Sequence, residues 1–238
     1  MLKQRIKVFW VFFISFWALA CSPTQKRKES RVITEVKDSS GIEQIVKEAV
    51  PLTGTARYLD SLGLINVATL DSTLVVDLMY ATSDNFTGEI LYEDLTEAYL
   101  IPQVAEAVVK AQQLLKNQFP AYSLIIYDAA RPMSVQQKMW DVVKGTFKYR
   151  YVSNPAKGGG LHNYGLAVDV SILNEKGDSL PMGTLVDHLG FESHITQEDQ
   201  FVRNGILSME EKHNRELLRD IMKKVGFYPL SGEWWHFN

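Results

Sequence analysis

Cysteine is all but missing from this chain, one in 238 residues. A single thiol excludes any disulfide within the chain and any Cys-rich zinc module. Positive charge is not in excess either. The 25 Lys and Arg are outweighed by 28 Asp and Glu, giving a net charge of −3 and a pI near 6.0, so there is no basic surplus to hold nucleic acid. The one basic cluster, Lys26-Arg27-Lys28, reads as a solvated spacer. No internal repeat or low-complexity tract is found. No apolar run reaches the roughly 20 residues of a membrane-spanning helix; the run from Val8 to Ala20 stops at 13. What is present is 46% hydrophobic residues, enough to bury one sizeable core, or at most two small ones.

That short apolar run has a meaning given by its flanks. Lys3, Arg5 and Lys7 precede it, and small residues follow it, as in a secretory signal. Ala18-Leu19-Ala20-Cys21-Ser22 resembles a bacterial lipobox, although Ala18 stands where leucine is usual. The resemblance implies that residues 1–20 are removed and that Cys21 becomes the lipid-bearing first residue. The protein is then anchored in the bacterial cell envelope, on the periplasmic side. An ordinary cleaved signal or an uncleaved anchor is the alternative. Residues 22–41 are polar, cannot offset their own ordering entropy, and read as a flexible tether. Ile42 to Val50 predicts a short helix broken by Pro51. Residues 21–63 are therefore assigned to a tether and N-terminal segment, and residues 64–238 to one compact domain.

Within that domain Leu74–Tyr80 is β-rich and Tyr122–Tyr127 reads as a buried strand. Pro102 suits a helix start, with Val104, Val108, Ala111 and Leu115 at helical spacing behind it. Ser134 with Gln137, and Ser208 with Glu211, have capping-box spacing for two further helices, the second ended by Gly226. Strands and helices mix without regular βαβ alternation, which favours an α+β domain.

Two segments carry chemistry. In Leu166–Ile172 the residues alternate, with Leu166, Val168, Val170 and Ile172 on one face and Asp169 among small neighbours on the other. A carboxylate in such a strand needs a cation, donors or solvent, and His162, at a glycine-rich bend just before it, is placed to share a cation. The second segment is Gly232-Glu233-Trp234-Trp235-His236. In a regular strand Glu233 and His236 face opposite ways, so convergence requires Glu233 on a bend, which Gly232 permits. Two imidazoles and a carboxylate, with a glutamate left over, are what a hydrolytic zinc site needs: three ligands, one open position and a general base. His188, His194 and His213 fall outside these segments; His194 is a candidate support for a ligand.

With these residues in hand, the chain resembles the D-alanyl-D-alanine dipeptidases of the VanX type, within the zinc D,D-peptidase group. Gly160-x-His162-x-x-Gly165-x-Ala167-x-Asp169 is similar to the family's Ser-x-His-x-x-Gly-x-Ala-x-Asp, and Glu233-x-x-His236 to its Glu-x-x-His. Asp77–Gly88, Asp128-Ala129-Ala130-Arg131-Pro132 and Pro181–His194 fall in family order. The resemblance spans about residues 64–238 and implies a central antiparallel sheet flanked by helices, the hedgehog-like zinc D,D-peptidase fold. It implies one Zn2+ per chain on His162, Asp169 and His236, with Glu233 as base and Arg131 as oxyanion clamp. It implies that Asp187 takes the substrate's ammonium group, with Asp128 and Tyr80 lining the pocket. The expected partner is a small dipeptide linked to peptidoglycan metabolism, with no nucleic acid and no protein partner. Gly160 departs from the family's serine and leaves the exact substrate open. The rivals are a D,D-carboxypeptidase acting on longer wall peptides and a non-catalytic zinc-bearing, wall-binding lipoprotein.

Overall fold

The computed structural model describes residues 52–238 in full, together with the backbone of two strands at 33–37 and 43–47. The signal segment, Cys21 and the rest of the proposed tether lie outside the described residues. The two strands, β1 (Ile33–Lys37) and β2 (Glu43–Lys47), pair antiparallel, with Lys37 opposite Glu43. This replaces two expectations: β1 falls where a tether was expected and β2 where a helix was. The β-branched residues Ile33, Thr34, Val36, Ile45 and Val46 favour extended backbone.

The second compact unit runs from Pro51 to Asn238, so it takes in a helix that a boundary at 64 leaves out. In chain order it contains α1 (Gly54–Ser61), β3 (Ile65–Asn66), β4 (Val75–Val76), β5 (Tyr99–Leu100) and α2 (Pro102–Gln118). Next come β6 (Ser123–Asp128), α3 (Met133–Val143), β7 (Val168–Leu173) and α4 (Glu198–Arg203). The chain finishes with α5 (Met209–Lys224), β8 (Pro229–Leu230) and β9 (Glu233–Phe237). A mixed α+β domain results. β3 and β5 form a small antiparallel pair, and the main sheet has the order β4-β6-β7-β9-β8. It is antiparallel throughout its centre, while the short edge strand β4 runs parallel to β6.

Local chemistry accounts for most of these elements. Pro102 opens α2 at its first turn, and Ala105, Val108, Ala111 and Leu115 bury one stripe of it. Each large member of that stripe contributes about 1.5–3 kcal/mol by leaving water. α5 starts with a reciprocal cap: Ser208 Oγ accepts from the Glu211 N–H, and Glu211 Oε2 accepts from the Ser208 N–H. It gives out before Gly226, whose φ of +102° suits glycine. The start of α3 differs from the expected one. Pro132, extended at φ −57° and ψ 143°, precedes the first turn and no side chain caps it; Ser134 lies inside the helix, and Gln136 faces inward, buried.

The expected β-rich stretch at 74–80 is mostly not strand. Only Val75 and Val76 pair, and Met79–Ala81 form a 3-10 turn that carries Tyr80. β7 is the sheet's middle strand and is buried along its whole length. Its alternation therefore separates an apolar core face from a polar face that is also enclosed.

Candidate metal centre

Strand register brings the distant residues together. Asp169 on β7 is paired with Asp128 on β6 and with His236 on β9, so three polar side chains form a row across the sheet. His162 arrives from the 3-10 turn Leu161–Tyr164, which Gly165 ends with a φ of +65°. That turn is tied to the end of β6: the Arg131 N–H donates to the His162 carbonyl, and Asn163 Nδ2 donates to the Arg131 carbonyl.

His162 Nε2, Asp169 Oδ1 and His236 Nδ1 form a triangle with edges of 3.1, 3.3 and 3.0 Å. Ligands bonded at about 2.0–2.1 Å around a tetrahedral ion stand about 3.3–3.4 Å apart, so the triangle fits a zinc-sized cation. The tautomer supports this. His162 Nδ1 is 2.8 Å from the Ala129 carbonyl, which only accepts, so Nδ1 carries the proton and Nε2 offers a lone pair inward. Two imidazole nitrogens and a carboxylate pointed at one another repel unless a proton or a cation stands among them. Burial alone would lower the His162 pKa, but the Asp169 carboxylate overrides it and holds the imidazole above its ordinary value. Burial works against Asp169 too, yet His162 and His236 hold its carboxyl far below the usual range.

Glu233 is on the same side of β9 as His236, its Oε2 3.9 Å from His236 Nδ1. Convergence comes from an irregularity between β8 and β9, where the register shifts between Pro229 and Leu230. Gly232, expected to supply the bend, is not among the glycines of positive φ. Burial pushes the Glu233 carboxyl up to about 8, against the pull of His236.

Beside the centre is a cavity of about 240 Å3, lined among others by His162, Asp169, His236, Glu233, Arg131, Tyr80 and Asp187. That lies below the roughly 300–1,000 Å3 of pockets for drug-sized ligands, and so suits a small substrate. Asp187 lies in the loop between β7 and α4 with a φ of +64°, the only described non-glycine residue of positive φ. Tyr80 donates its phenol to Asp187 Oδ2 at 2.6 Å, and burial raises the Asp187 carboxyl to about 7. Arg131 stacks over the Tyr80 ring at 5.2 Å.

Asp128 is a correction. Expected on the pocket wall, it is completely buried and lies behind the cavity. Arg131 Nε and Nη2 both donate to its Oδ2, and Tyr92 donates to its Oδ1. Such a carboxylate fixes the guanidinium's direction. Sequence reasoning missed Tyr92 and also Gln136, whose Oε1 accepts from Arg131 Nη1 at 2.9 Å; a tyrosine and a glutamine with no motif around them give no signal. His194 supports no ligand: its Nε2 meets the Tyr151 hydroxyl at 3.0 Å. Trp234 and Trp235 are both buried, and neither lines the cavity.

Comparison with known proteins adds an independent line. A family model described as D-ala-D-ala dipeptidase matches residues 60–238. The chain is 30% identical over 179 residues to the D-alanyl-D-alanine dipeptidase of Escherichia coli (strain K12), covering 75% of this chain and 86% of that protein. It is 32% identical over 182 residues to the D-alanyl-D-alanine dipeptidase of Enterococcus faecium, covering 68% and 83%. It is 26% identical over 176 residues to the enzyme of the same name from Synechocystis sp., covering 62% and 71%.

Proposed function

The chain belongs to the D-ala-D-ala dipeptidase family of peptidases, and from that premise we propose that it hydrolyses D-alanyl-D-alanine, or a closely similar D-dipeptide, with one zinc ion on His162, Asp169 and His236. The observation that carries this reading is the triangle of His162 Nε2, Asp169 Oδ1 and His236 Nδ1 with an ionisable glutamate at its side. Zinc is favoured by the donor set, two imidazoles and one carboxylate, although cobalt or nickel can occupy such a set in vitro.

The chain's own groups divide the work. His162, Asp169 and His236 would hold the cation, which would supply Lewis acidity to activate water and polarise the scissile carbonyl. Glu233, within 3.9 Å of His236, takes the proton of the attacking water and hands it to the leaving amine. Arg131, aimed by Asp128 and Gln136, steadies the oxyanion of the tetrahedral intermediate with donors that stay charged. Asp187, oriented by Tyr80, receives the free ammonium group and so restricts the site to dipeptides. The small cavity supports that restriction over a carboxypeptidase open on the amino side.

Acylation of Cys21 would hold the enzyme in the envelope, where peptidoglycan precursors and fragments supply D-dipeptides. Fractionation of cells carrying Cys21→Ala tests the anchor: release from the membrane is expected, and unchanged attachment overturns it. For the reaction, purified protein is assayed on D-alanyl-D-alanine and on a wall pentapeptide, with and without chelator, alongside elemental analysis. The expected result is dipeptide cleavage that chelator abolishes, one zinc per chain, and little action on the pentapeptide. Preferred cleavage of the pentapeptide makes the protein a carboxypeptidase; no cleavage of either leaves it a binding protein.

A further inference from the structure

A side chain at Gly160 would collide with Ser153 as it stands. A Cβ built there lies 2.7 Å from Ser153 Oγ and 3.1 Å from Ser153 Cβ, the first closer than Cβ atoms approach other groups. The Ser153 side chain alone stands in the way, because the Gly160 backbone is extended at φ −125° and accepts any residue. Ser153 and Gly160 both line the cavity. The Ser153 hydroxyl has no hydrogen-bond partner among the described residues, and the residue's carbonyl is held by Gln136 Nε2 at 2.8 Å.

A chain of contacts in the cavity lining relates Ser153 to Asp187. Asp187 bonds Tyr80, Tyr80 stacks on Arg131, Arg131 bonds Gln136 and Gln136 bonds Ser153. Tyr80, Arg131 and Gln136 thus stand between Asp187 and Ser153 in the cavity lining. A dipeptide with its ammonium group at Asp187 directs its carboxylate away from that residue, towards the rest of the lining.

We propose that Ser153 is a specificity-determining residue whose hydroxyl donates to the terminal carboxylate of the dipeptide, from the place that a side chain at position 160 would fill. The proposal rests on the dipeptidase reading above. It also explains why glycine is tolerated at 160: the hydroxyl comes from seven residues upstream.

The test is a four-way comparison of zinc-loaded wild type, Ser153→Ala, Gly160→Ser and the double variant on D-alanyl-D-alanine. Ser153 is exposed, so its truncation leaves the fold intact, which a thermal melt checks. Loss of one hydrogen bond to a charged group is expected to raise KM about 10- to 100-fold, with kcat nearly unchanged. The loss shrinks to a few-fold when the substrate is the C-terminal amide. Gly160→Ser alone impairs the enzyme by crowding Ser153, and Ser153→Ala/Gly160→Ser recovers most of the affinity, because one hydroxyl then replaces the other. Wild-type KM in Ser153→Ala, or a double variant no better than the single, overturns the proposal while leaving the dipeptidase reading standing. A wild type inactive on the dipeptide sinks both.

Discussion

Burial and charge oppose each other at His162, Asp169, Glu233 and Asp187, and the balance sets what each can do. Glu233 is enclosed enough for its carboxyl to rise to about 8, so it gains a base's proton affinity near neutrality, and positive charge on the neighbouring ligands draws it towards the ionised form. Replacing it by glutamine keeps the shape and removes the base. Glu233→Gln is expected to lower kcat by about 10²–10⁴ with zinc content unchanged, as single-turnover assays and elemental analysis will report. Asp187 answers to pH differently. Its carboxyl, raised to about 7, is protonated below that value and then cannot pair with an ammonium group. The substrate's amine stays charged up to about pH 8. kcat/KM should therefore fall as pH drops through 7, and Asp187→Asn should flatten that limb at a uniformly low level. A limb unchanged in Asp187→Asn would assign it to another group.

The elements explain how side chains 74 residues apart in sequence meet. β7 is enclosed by β6 and β9, and its register places Asp169 between Asp128 and His236. The loop bearing Asp187 is held from α5. Fully buried Arg215 donates from Nε to the Met182 carbonyl and from Nη2 to the Glu192 carbonyl, while Asn214 holds the Pro181 carbonyl. One helix thus clamps both ends of the loop around Asp187. Arg215→Met strands two carbonyls and should cost about 2–4 kcal/mol of stability, with KM raised more than kcat is lowered. Equal losses in both would point to general unfolding. Much of this was legible beforehand. The alternation around Asp169 and the capping box of α5 follow from local periodicity and spacing. The means by which Glu233 converges with His236 was not, because a register shift between β8 and β9 is decided by pairing partners. Asp128 was misplaced for a similar reason: its motif announces a functional arginine, but only the packed structure shows which of the two side chains reaches the cavity and which stands behind it.

For the molecule as a whole, a cation on His162, Asp169 and His236 and protons on the carboxyls beside it act against each other. Asp187 and Glu233 titrate near 7 and 8 when folded against about 4 unfolded, so the metal-free native state binds more protons and loses stability as pH rises through that window. His162, also raised, contributes stability below its unfolded value and loses it as pH climbs, with the same sign. A bound cation takes the proton's place. The melting-temperature gap between zinc-loaded and metal-free protein should therefore widen from pH 5.5 to pH 8, and a constant gap would separate metal binding from these groups. The most direct measurement is an anomalous-scattering map collected at the zinc edge from metal-loaded crystals. One strong peak is predicted about 2.0–2.2 Å from His162 Nε2, Asp169 Oδ1 and His236 Nδ1, facing the cavity. A peak on any other set of residues, or none at full zinc loading, would contradict the account.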